Sequence, residues 1–441
     1  MRRNYFRLLE GLLFSLPLLF ASCGNGDNAL EEIINGGGSG GGSSSTNTYR
    51  VYTSGTAYTD EAMPEGTIVT SSLATWPAGT YIVNSDVTID YNVSITGDVK
   101  LIVYDGVTLK VNGHFGETYG TETCSLSIFG QSAGTGKIIA TCTTADMPTI
   151  DAKEIIIHGV VINASSTGND GKAIYANDNL VVYNSDITAS ATVGGGAQTV
   201  ETLGDLKIYN GTIVISGMSQ GIMANNTYVY GGDITASAGN QSSGEGGVGI
   251  SGTLNISGGT VKANGGDATI ADQKGGCAID GTLVMNGGNV TATGGNGNGT
   301  FGGAGINGAL TVDGGTLIAN GGDGDGTYGG AGISGAATFN GGTITAKGIK
   351  NSAINAGGAI NINDGITSVT LISTDATADP AASSNWIAVG SGSLSFGGTD
   401  ISGGWCTSVS FADPEASHQY GTTTIAIERD GTSLILTKYV P

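Results

Sequence analysis

Residues 302–348 contain nearly the same sequence twice, GGAGINGALTVDGGTLIANGGDGDGTY followed by GGAGISGAATFNGGTITAKG. Such repetition constrains a fold more strongly than a single motif does. One apolar anchor marks each unit at intervals of 21 to 29 residues: Ile150, Ile174, Val200, Ile222, Ile250, Ile279, Ile306, Ile333 and Ile354. Two stretches of alternating apolar and polar residues follow each anchor, which is typical of strands with one buried face. The chain therefore repeats one structural unit of about 25 residues.

Three short strands in each unit predict a parallel β-helix, in which every coil stacks on the one before it. Glycine pairs separate the strands, and the 79 glycines supply corners with positive φ. A two-sheet sandwich also has turns, but it rarely has so regular an internal repeat. We therefore predict an all-β chain that forms a single-stranded, right-handed parallel β-helix of about 25 residues per coil. Its N- and C-terminal caps are expected to be irregular.

The first residues have the pattern of an export signal. Arg2, Arg3 and Arg7 form a basic start, and residues 12–20 form an apolar run too short to span a bilayer. The sequence FASC, which ends at Cys23, resembles a bacterial lipobox, whose cysteine carries the lipid. That resemblance implies a lipoprotein anchored to the bacterial cell envelope, at the outer membrane and exposed on the surface. The alternative is an ordinary cleaved signal followed by an incidental cysteine.

Composition and regularity divide the chain into five segments. Residues 1–22 are the lipoprotein signal peptide, and residues 23–48 are the lipidated Cys and a flexible Gly/Ser tether. Residues 49–145 are strand-rich but irregular, and we interpret them as an N-terminal cap with the first coils. Residues 146–375 carry the regular repeats, and residues 376–441 are the C-terminal coils and cap. A cap is expected because an open sheet edge invites aggregation.

The repeats GKAIYANDNLVVYNSDITASA, GGVGISGTLNISGGTVKA and GGAGINGALTVDGGTLIA support a family-level comparison. They resemble the repeats of bacterial surface β-helix proteins that are classed as carbohydrate-binding domains. The resemblance covers roughly residues 150–365. It implies a pectate-lyase-like scaffold that binds polysaccharide, and calcium in at least part of the family.

Catalytic residues are hard to find in the sequence. Polysaccharide lyases of this fold use an arginine or lysine base beside carboxylates, yet Arg50 and Arg429 are the only arginines after the signal. Four lysines of the repeats could serve as the base, but none is expected to lie in an acidic cluster. They are Lys153, Lys172, Lys207 and Lys262. We therefore predict that the protein is not an enzyme, and a lyase is the third of three functional hypotheses.

The most informative pattern is a row of rings. The residue after the second inward position of the first alternating stretch is, on successive coils, His158, Tyr183, Tyr209, Tyr230, Ser257, Asn286, Asp313, Asn340 and Asn363. Alternation places this row on the outside, and rings one coil apart would lie close enough to stack face to face. The row is expected to form a flat, partly apolar strip for sugar rings. A smaller platform is expected at Phe301 and Tyr328, 27 residues apart. The alternative is that the row only stabilises the column.

The sequence also suggests a calcium site. Asp323 and Asp325 lie between glycines in NGGDGDGTYGG, and short oxygen-bearing side chains in such a loop can bind calcium. The alternative is a solvated loop in which Asn and Asp cap turns. Cys124 and Cys142 would form a disulfide if they lay on neighbouring coils.

Charge narrows the possible partners. The net charge of −21 argues against nucleic acid and anionic lipid. Together, these features predict a cell-surface lipoprotein that binds polysaccharide without cleaving it. The second hypothesis is an adhesin or structural stalk that engages a protein or host partner.

Overall fold

The alternating stretches form strands, and each coil repeats those strands in the same order. The computed structural model describes residues 47–193, 196, 198–240, 244–299, 301–324, 329–363 and 365–374. It also describes six C-terminal segments, 387–389, 394–396, 399–400, 417–420, 423–430 and 433–438. The predicted signal, Cys23 and nearly all of the predicted tether lie outside the described residues.

The N-terminal part contains a hairpin and the first coils. Its strands are β1 Thr48–Tyr52, β2 Tyr58–Ala62, β3 Thr67–Ile68, β4 Thr75–Trp76, β5 Gly79–Val83, β6 Val87–Ile89, β7 Val93–Ile95, β8 Val99–Val103, β9 Thr108–Val111, β10 Phe115–Gly116, β11 Ser125–Phe129 and β12 Lys137–Cys142. Strands β1 and β2 pair with each other in antiparallel register. From β3 onward, neighbouring coils pair in parallel.

The central part holds the regular coils. Its strands are β13 Ile150–Ala152, β14 Glu154–His158, β15 Val161–Ser166, β16 Ile174–Ala176, β17 Leu180–Tyr183, β18 Asp186–Ala191, β19 Gln198–Ile208, β20 Thr212–Gly217, β21 Gln220–Val229, β22 Asp233–Ala238, β23 Val248–Ile256, β24 Thr260–Asn264, β25 Ile279–Asp280, β26 Leu283–Met285, β27 Asn289–Thr293, β28 Ile306–Asn307, β29 Leu310–Val312, β30 Thr316–Asn320, β31 Ile333–Ser334, β32 Ala337–Phe339, β33 Gly342–Gly348, β34 Ile354–Ala356, β35 Ile360–Ile362 and β36 Ile366–Ser373. In three coils the first and second strands run together as β19, β21 and β23.

The C-terminal part ends the column with antiparallel strands. Its strands are β37 Ile387–Val389, β38 Leu394–Phe396, β39 Thr399–Asp400, β40 Ser417–Tyr420, β41 Thr423–Asp430 and β42 Ser433–Lys438. Strand β42 pairs with β36, and β41 then pairs with β42. Strands β41 and β42 therefore cover the edge of the sheet at β36, where a strand of another chain could otherwise pair.

The predicted fold is confirmed: the chain is a right-handed parallel β-helix of about 11 turns. In the described residues, a 25-stranded sheet contains the first two strands of the coils and a 15-stranded sheet contains the third. All nine anchors pair with one another from coil to coil in the predicted order. Among the described residues, no helix is long and apolar enough to cross a membrane.

One continuous apolar core runs along the inside of the column. The inward positions of one coil, Leu283, Met285, Val290 and Ala292, are at most 1% exposed. The same assignment holds on the neighbouring coils, so the predicted inward faces are confirmed. Cys124 and Cys142 are free thiols, so the disulfide considered from the sequence is not formed in this structure.

Glycine is required at the corner between the second and third strands. Gly259 and Gly288 occupy this corner on adjacent coils with φ of 77° and 75°. A Cβ at Gly259 would also lie 2.4 Å from the carbonyl oxygen of Gly232 on the coil before. Left-handed backbone and close packing of coils both exclude a larger residue here. The glycine pairs therefore set the corner and permit the next coil to approach.

The inward and outward assignment can be tested with one pair of substitutions. Ile306 is fully buried between the anchors of the adjacent coils, so Ile306→Asp should lower the free energy of unfolding by about 3 kcal/mol or more. Thr311 is half-buried on an outward position, so Thr311→Asp should cost under about 1 kcal/mol. Chemical denaturation of both variants measures the difference. Equal losses would contradict the assignment.

Candidate functional site

A continuous stack of rings lies on the outer face of the second strand. Phe129, His158, Tyr183, Tyr209 and Tyr230 follow one another on five consecutive coils. Neighbouring ring centroids are 4.5–4.7 Å apart, and neighbouring planes lie within 15° of parallel. This spacing is that of adjacent strands, so the register of the coils imposes the stacking. The rings are arranged as the alternation predicts, and Phe129 extends the row by one coil.

The hairpin of β1 and β2 covers the first two rings of the row. Phe129 and His158 are only 7% and 5% exposed. The backbone N–H of Tyr52 donates to His158 Nδ1 at 3.1 Å, and Asn184 Nδ2 donates to the Tyr52 hydroxyl at 2.8 Å. Burial lowers the pKa of His158 to about 4, so its ring is neutral at pH 7 and accepts this bond. His158 belongs to the row, but its position beneath the hairpin separates it from any ligand in solvent.

The row then emerges into solvent. Tyr183 and Tyr209 are half-buried, and Tyr230 is 44% exposed. The turn between β1 and β2 packs beside them, because a Cβ on Gly55 would lie 2.7 Å from the Tyr209 carbonyl oxygen. Between the turn and the rings is an open cleft of about 450 Å³, lined by Ser54, Gly55, Thr56, Tyr209, Asn210, Tyr230 and Gly231. The exposed rings therefore border a cleft with polar walls.

The stacked geometry changes how the row meets solvent. The faces of Tyr183 and Tyr209 lie against neighbouring rings. Their edges and hydroxyls therefore point outward, and the row does not present the flat apolar surface that was predicted. Burial, and then the neighbouring Tyr209 hydroxyl, raise the pKa of Tyr183. Tyr228, which sequence reasoning missed, lies on the same strand face as Tyr230, with ring centroids 6.4 Å apart and planes 10° from parallel. Its position two residues before Tyr230 was the available signal.

The predicted second platform is described only in part. Phe301 is 43% exposed, and Tyr328 lies outside the described residues. The structure places Phe301 at a separate open cleft on the face of the first strand, where Lys274, Asp280 and Asn307 also line the wall. Phe301 is therefore a second exposed ring beside polar groups, remote in register from the aromatic row.

The predicted calcium loop is also described only in part, because Asp325 lies outside the described residues. Asp323 is exposed, and its carboxylate lies 3.0 Å from Lys350 Nζ. Its Oδ1 also accepts from the backbone N–H of Gly324 at 2.8 Å. Among the described residues, no group of three or more His, Cys, Asp or Glu is arranged to hold a metal ion. A cation at Asp323 would compete with Lys350 for the same oxygens.

Sequence reasoning missed a second polar cluster, which lies on the outer face of the first strand. Asp151, Tyr175 and Glu201 directly follow the anchors of three consecutive coils. The loop after β10 covers them, with the Tyr119 ring edge-on to Tyr175 at 5.2 Å. Lys172 Nζ lies 3.2 Å from the Glu201 carboxylate and donates to the Tyr119 hydroxyl at 3.0 Å. The prediction that no lysine lies in an acidic cluster is therefore wrong for Lys172.

Asp151 is the centre of this cluster and is fully buried. Its Oδ1 lies 3.1 Å from His114 Nε2, but that nitrogen is closer to the Glu117 carbonyl oxygen, at 2.6 Å. Burial, followed by the carboxylates of Glu122 and Glu117, raises the pKa of Asp151 to about 9. Gly116 makes the space, because a Cβ there would lie 1.6 Å from Asp151 Oδ1. Asp151 is thus protonated at pH 7 and closed to solvent.

The contact between the hairpin and His158 should make stability fall in acid. The pKa of His158 falls from 6.5 to about 4 on folding, so its contribution is complete above pH 6.5 and is lost as the pH falls toward 4. His158→Phe keeps a stacking ring and removes the titration. The melting temperature, measured from pH 7.5 to 4.5, should therefore fall less in the variant. The same acid loss in both proteins would contradict this role.

Asp151 should have the opposite effect on pH dependence. Its pKa rises from 3.8 to about 9 on folding, so the folded state holds an extra proton between these values and stability falls as the pH rises. Asp151→Asn should flatten that fall, which is at most about 1.4 kcal/mol per pH unit. Asp280→Asn, in the same row on a half-exposed position, is the control. Melting temperatures from pH 5 to 8 test this, and an unchanged slope in Asp151→Asn would refute it.

Comparison with known proteins gives no family for this chain. No protein-family model matches it, and no curated protein or solved structure matches it either. The fold is established by the register of its own coils. A ligand for the exposed rings must therefore be inferred from their geometry and their surroundings.

Proposed function

We propose that this protein binds polysaccharide, without cleaving it, at the exposed end of the aromatic row. The observation that carries the proposal is the position of Tyr230. Its ring is 44% exposed at the end of the stack and borders the open cleft beside the β1–β2 turn. An exposed ring next to polar groups matches a sugar, which has apolar C–H faces and a rim of hydroxyls.

The cleft supplies both kinds of contact. Tyr209 and Tyr230 provide aromatic surface on one side. Asn210, next to Tyr209 in the chain, offers an amide, and Ser54 and Thr56 of the β1–β2 turn offer hydroxyls. An amide and hydroxyls can each donate to and accept from sugar hydroxyls. This combination supports recognition of a polymer with repeated hydroxyl groups.

Binding without cleavage is supported by where the ionisable groups lie. A general acid or base must come within hydrogen-bond reach of the atom it protonates. Asp151 is fully buried beneath the loop after β10, and Glu122, which belongs to that loop, is only 4% exposed. Near the aromatic row, Lys207 Nζ pairs with Asp205 at 3.4 Å. A lyase therefore remains the third hypothesis.

An adhesin or structural stalk is the second hypothesis. The observation in its favour is that the row begins under cover, where Phe129 and His158 stabilise the hairpin. Stacking alone would account for rings that are buried. It does not account for Tyr230, which remains exposed at the end of the row. Polysaccharide binding is the better explanation for this reason.

We place the protein at the bacterial cell surface, held by lipid on Cys23. The proposal rests on the basic, apolar and lipobox-like segments that precede this residue. The Gly/Ser tether that follows would let the column stand away from the membrane. Several acyl chains on one residue anchor far more firmly than one chain does.

Substitution of the exposed ring tests the binding function. Tyr230→Ala should weaken polysaccharide binding roughly 2- to 12-fold, since an aromatic contact contributes about 0.5–1.5 kcal/mol beyond burial. The matched control is Phe301→Ala, which removes a ring of similar exposure, 43%, on another face. A glycan array with and without calcium identifies the polymer, and titration measures the loss. Loss of binding only in Phe301→Ala would move the site to the other cleft.

The anchor is tested separately. Cys23→Ala removes the proposed site of acylation, so the protein should move from the membrane fraction to the soluble exported fraction. Fractionation and immunoblotting measure the change, with Cys142→Ala as a control for substitution of a buried cysteine of the column. Cys23→Ala protein that remains wholly with the membrane would contradict lipidation at this position.

A further inference from the structure

We propose that the polysaccharide lies across the column at the end of the aromatic row, with its sugar rings on the open faces of Tyr228 and Tyr230. This inference rests on the proposed function and specifies the contact surface and the class of polymer. It differs from a chain that runs along the row and touches the ring edges.

The ring faces differ between the middle and the end of the stack. Within the stack, Tyr209 has a ring on each side, at 4.5 and 4.7 Å. A sugar that approaches this ring from the side meets its edge and hydroxyl. Tyr230 is the last ring of the stack, so one of its faces has no aromatic neighbour in the described row. The C–H face of a sugar gains most from contact with a ring face.

The next coil leaves that face open. Tyr228 pairs in register with Asn255, and the following positions bring Tyr230 opposite Ser257. Both facing side chains are much shorter than a tyrosine, so they do not reach the outer part of the rings. Ser257 is exposed, and Tyr230 is 44% exposed. The side chains of Asn255 and Ser257 therefore extend less far from the column than the rings of Tyr228 and Tyr230.

Tyr228 makes this surface wide enough for more than one ring contact. Tyr228 and Tyr230 point from the same face of one strand, two positions apart, so their 6.4 Å separation runs along the strand. Their planes are 10° from parallel, which places the two rings side by side as one surface. A chain bound on that surface follows the strand and crosses the column. Asn255 and Ser257 then lie where they can bond its hydroxyls.

The surroundings indicate the class of polymer. Lys207 lies under Tyr228 in register and pairs with Asp205 at 3.4 Å, so the nearest charges offset each other. The net charge of −21 repels a polyanion. Two flat rings require sugar units with flat C–H faces, which β-linked pyranoses with equatorial hydroxyls provide. We therefore assign an uncharged β-linked glucan or xylan.

A substitution that lengthens the stack distinguishes the two binding modes. Ser257→Tyr should continue the row and cover the open face of Tyr230. If the sugar binds across the column, affinity for cellohexaose or xylohexaose should fall at least about ten-fold. If the polymer runs along the ring edges, the longer row should bind equally well or better. Asp313→Tyr, three coils beyond Tyr230 in the same row, is the matched control and should change affinity by less than about two-fold.

A second variant keeps the test decisive if Ser257→Tyr fails to fold. Tyr228→Ala should weaken binding of the same hexasaccharides, although Tyr228 is not part of the stack. Titration calorimetry measures affinity, and a thermal melt establishes folding. Wild-type protein that binds no glycan overturns the proposed function itself. Wild-type protein that binds but tolerates both Ser257→Tyr and Tyr228→Ala overturns the crossed mode, and preference for oligogalacturonate overturns the uncharged class.

Discussion

The structure depends on parallel hydrogen bonding that keeps equivalent strand positions of successive coils aligned, with bulges absorbing the differences in coil length. Every anchor from Ile150 to Ile354 pairs with the anchor of the next coil. Because neighbouring strands lie about 4.8 Å apart, a residue type repeated at one position becomes a row along the column. The apolar core, the glycine corners and the aromatic stack all arise from this one constraint.

Features that depend on register alone could be predicted from the sequence. Alternation was sufficient to assign Ile306 inward and to align Tyr183, Tyr209 and Tyr230 in an outward row. Burial of His158 could not be predicted, because the covering hairpin contacts it across 106 residues of chain. The outward row that contains Asp151 could have been predicted from the anchors. The loop that buries Asp151 could not, because it is not part of the repeated pattern. The spacing of the coils predicted face-to-face stacking, and the structure confirms it. The consequence that ring edges, and not ring faces, then meet solvent along the row was missed.

Carboxylates and aromatic rings of the column differ in their exposure to solvent. Asp151 and Glu122 are enclosed, although other acids such as Asp280 and Asp323 reach the surface. Tyr230 and Phe301 are more than 40% exposed. An enzyme of this fold would be expected to open its acids to the substrate. A binding protein needs exposed apolar surface beside hydrogen-bonding groups, and Tyr230 with Asn210 provides it. The proposed recognition of a polymer rests on this exposed surface.

A crystal structure with bound cellohexaose would show directly which ring face the sugar contacts. We expect a pyranose parallel to Tyr230, on the side of Ser257, with the chain crossing the column over Tyr228. A hexasaccharide along the ring edges, or one bound at Phe301 with Tyr230 free, would contradict it.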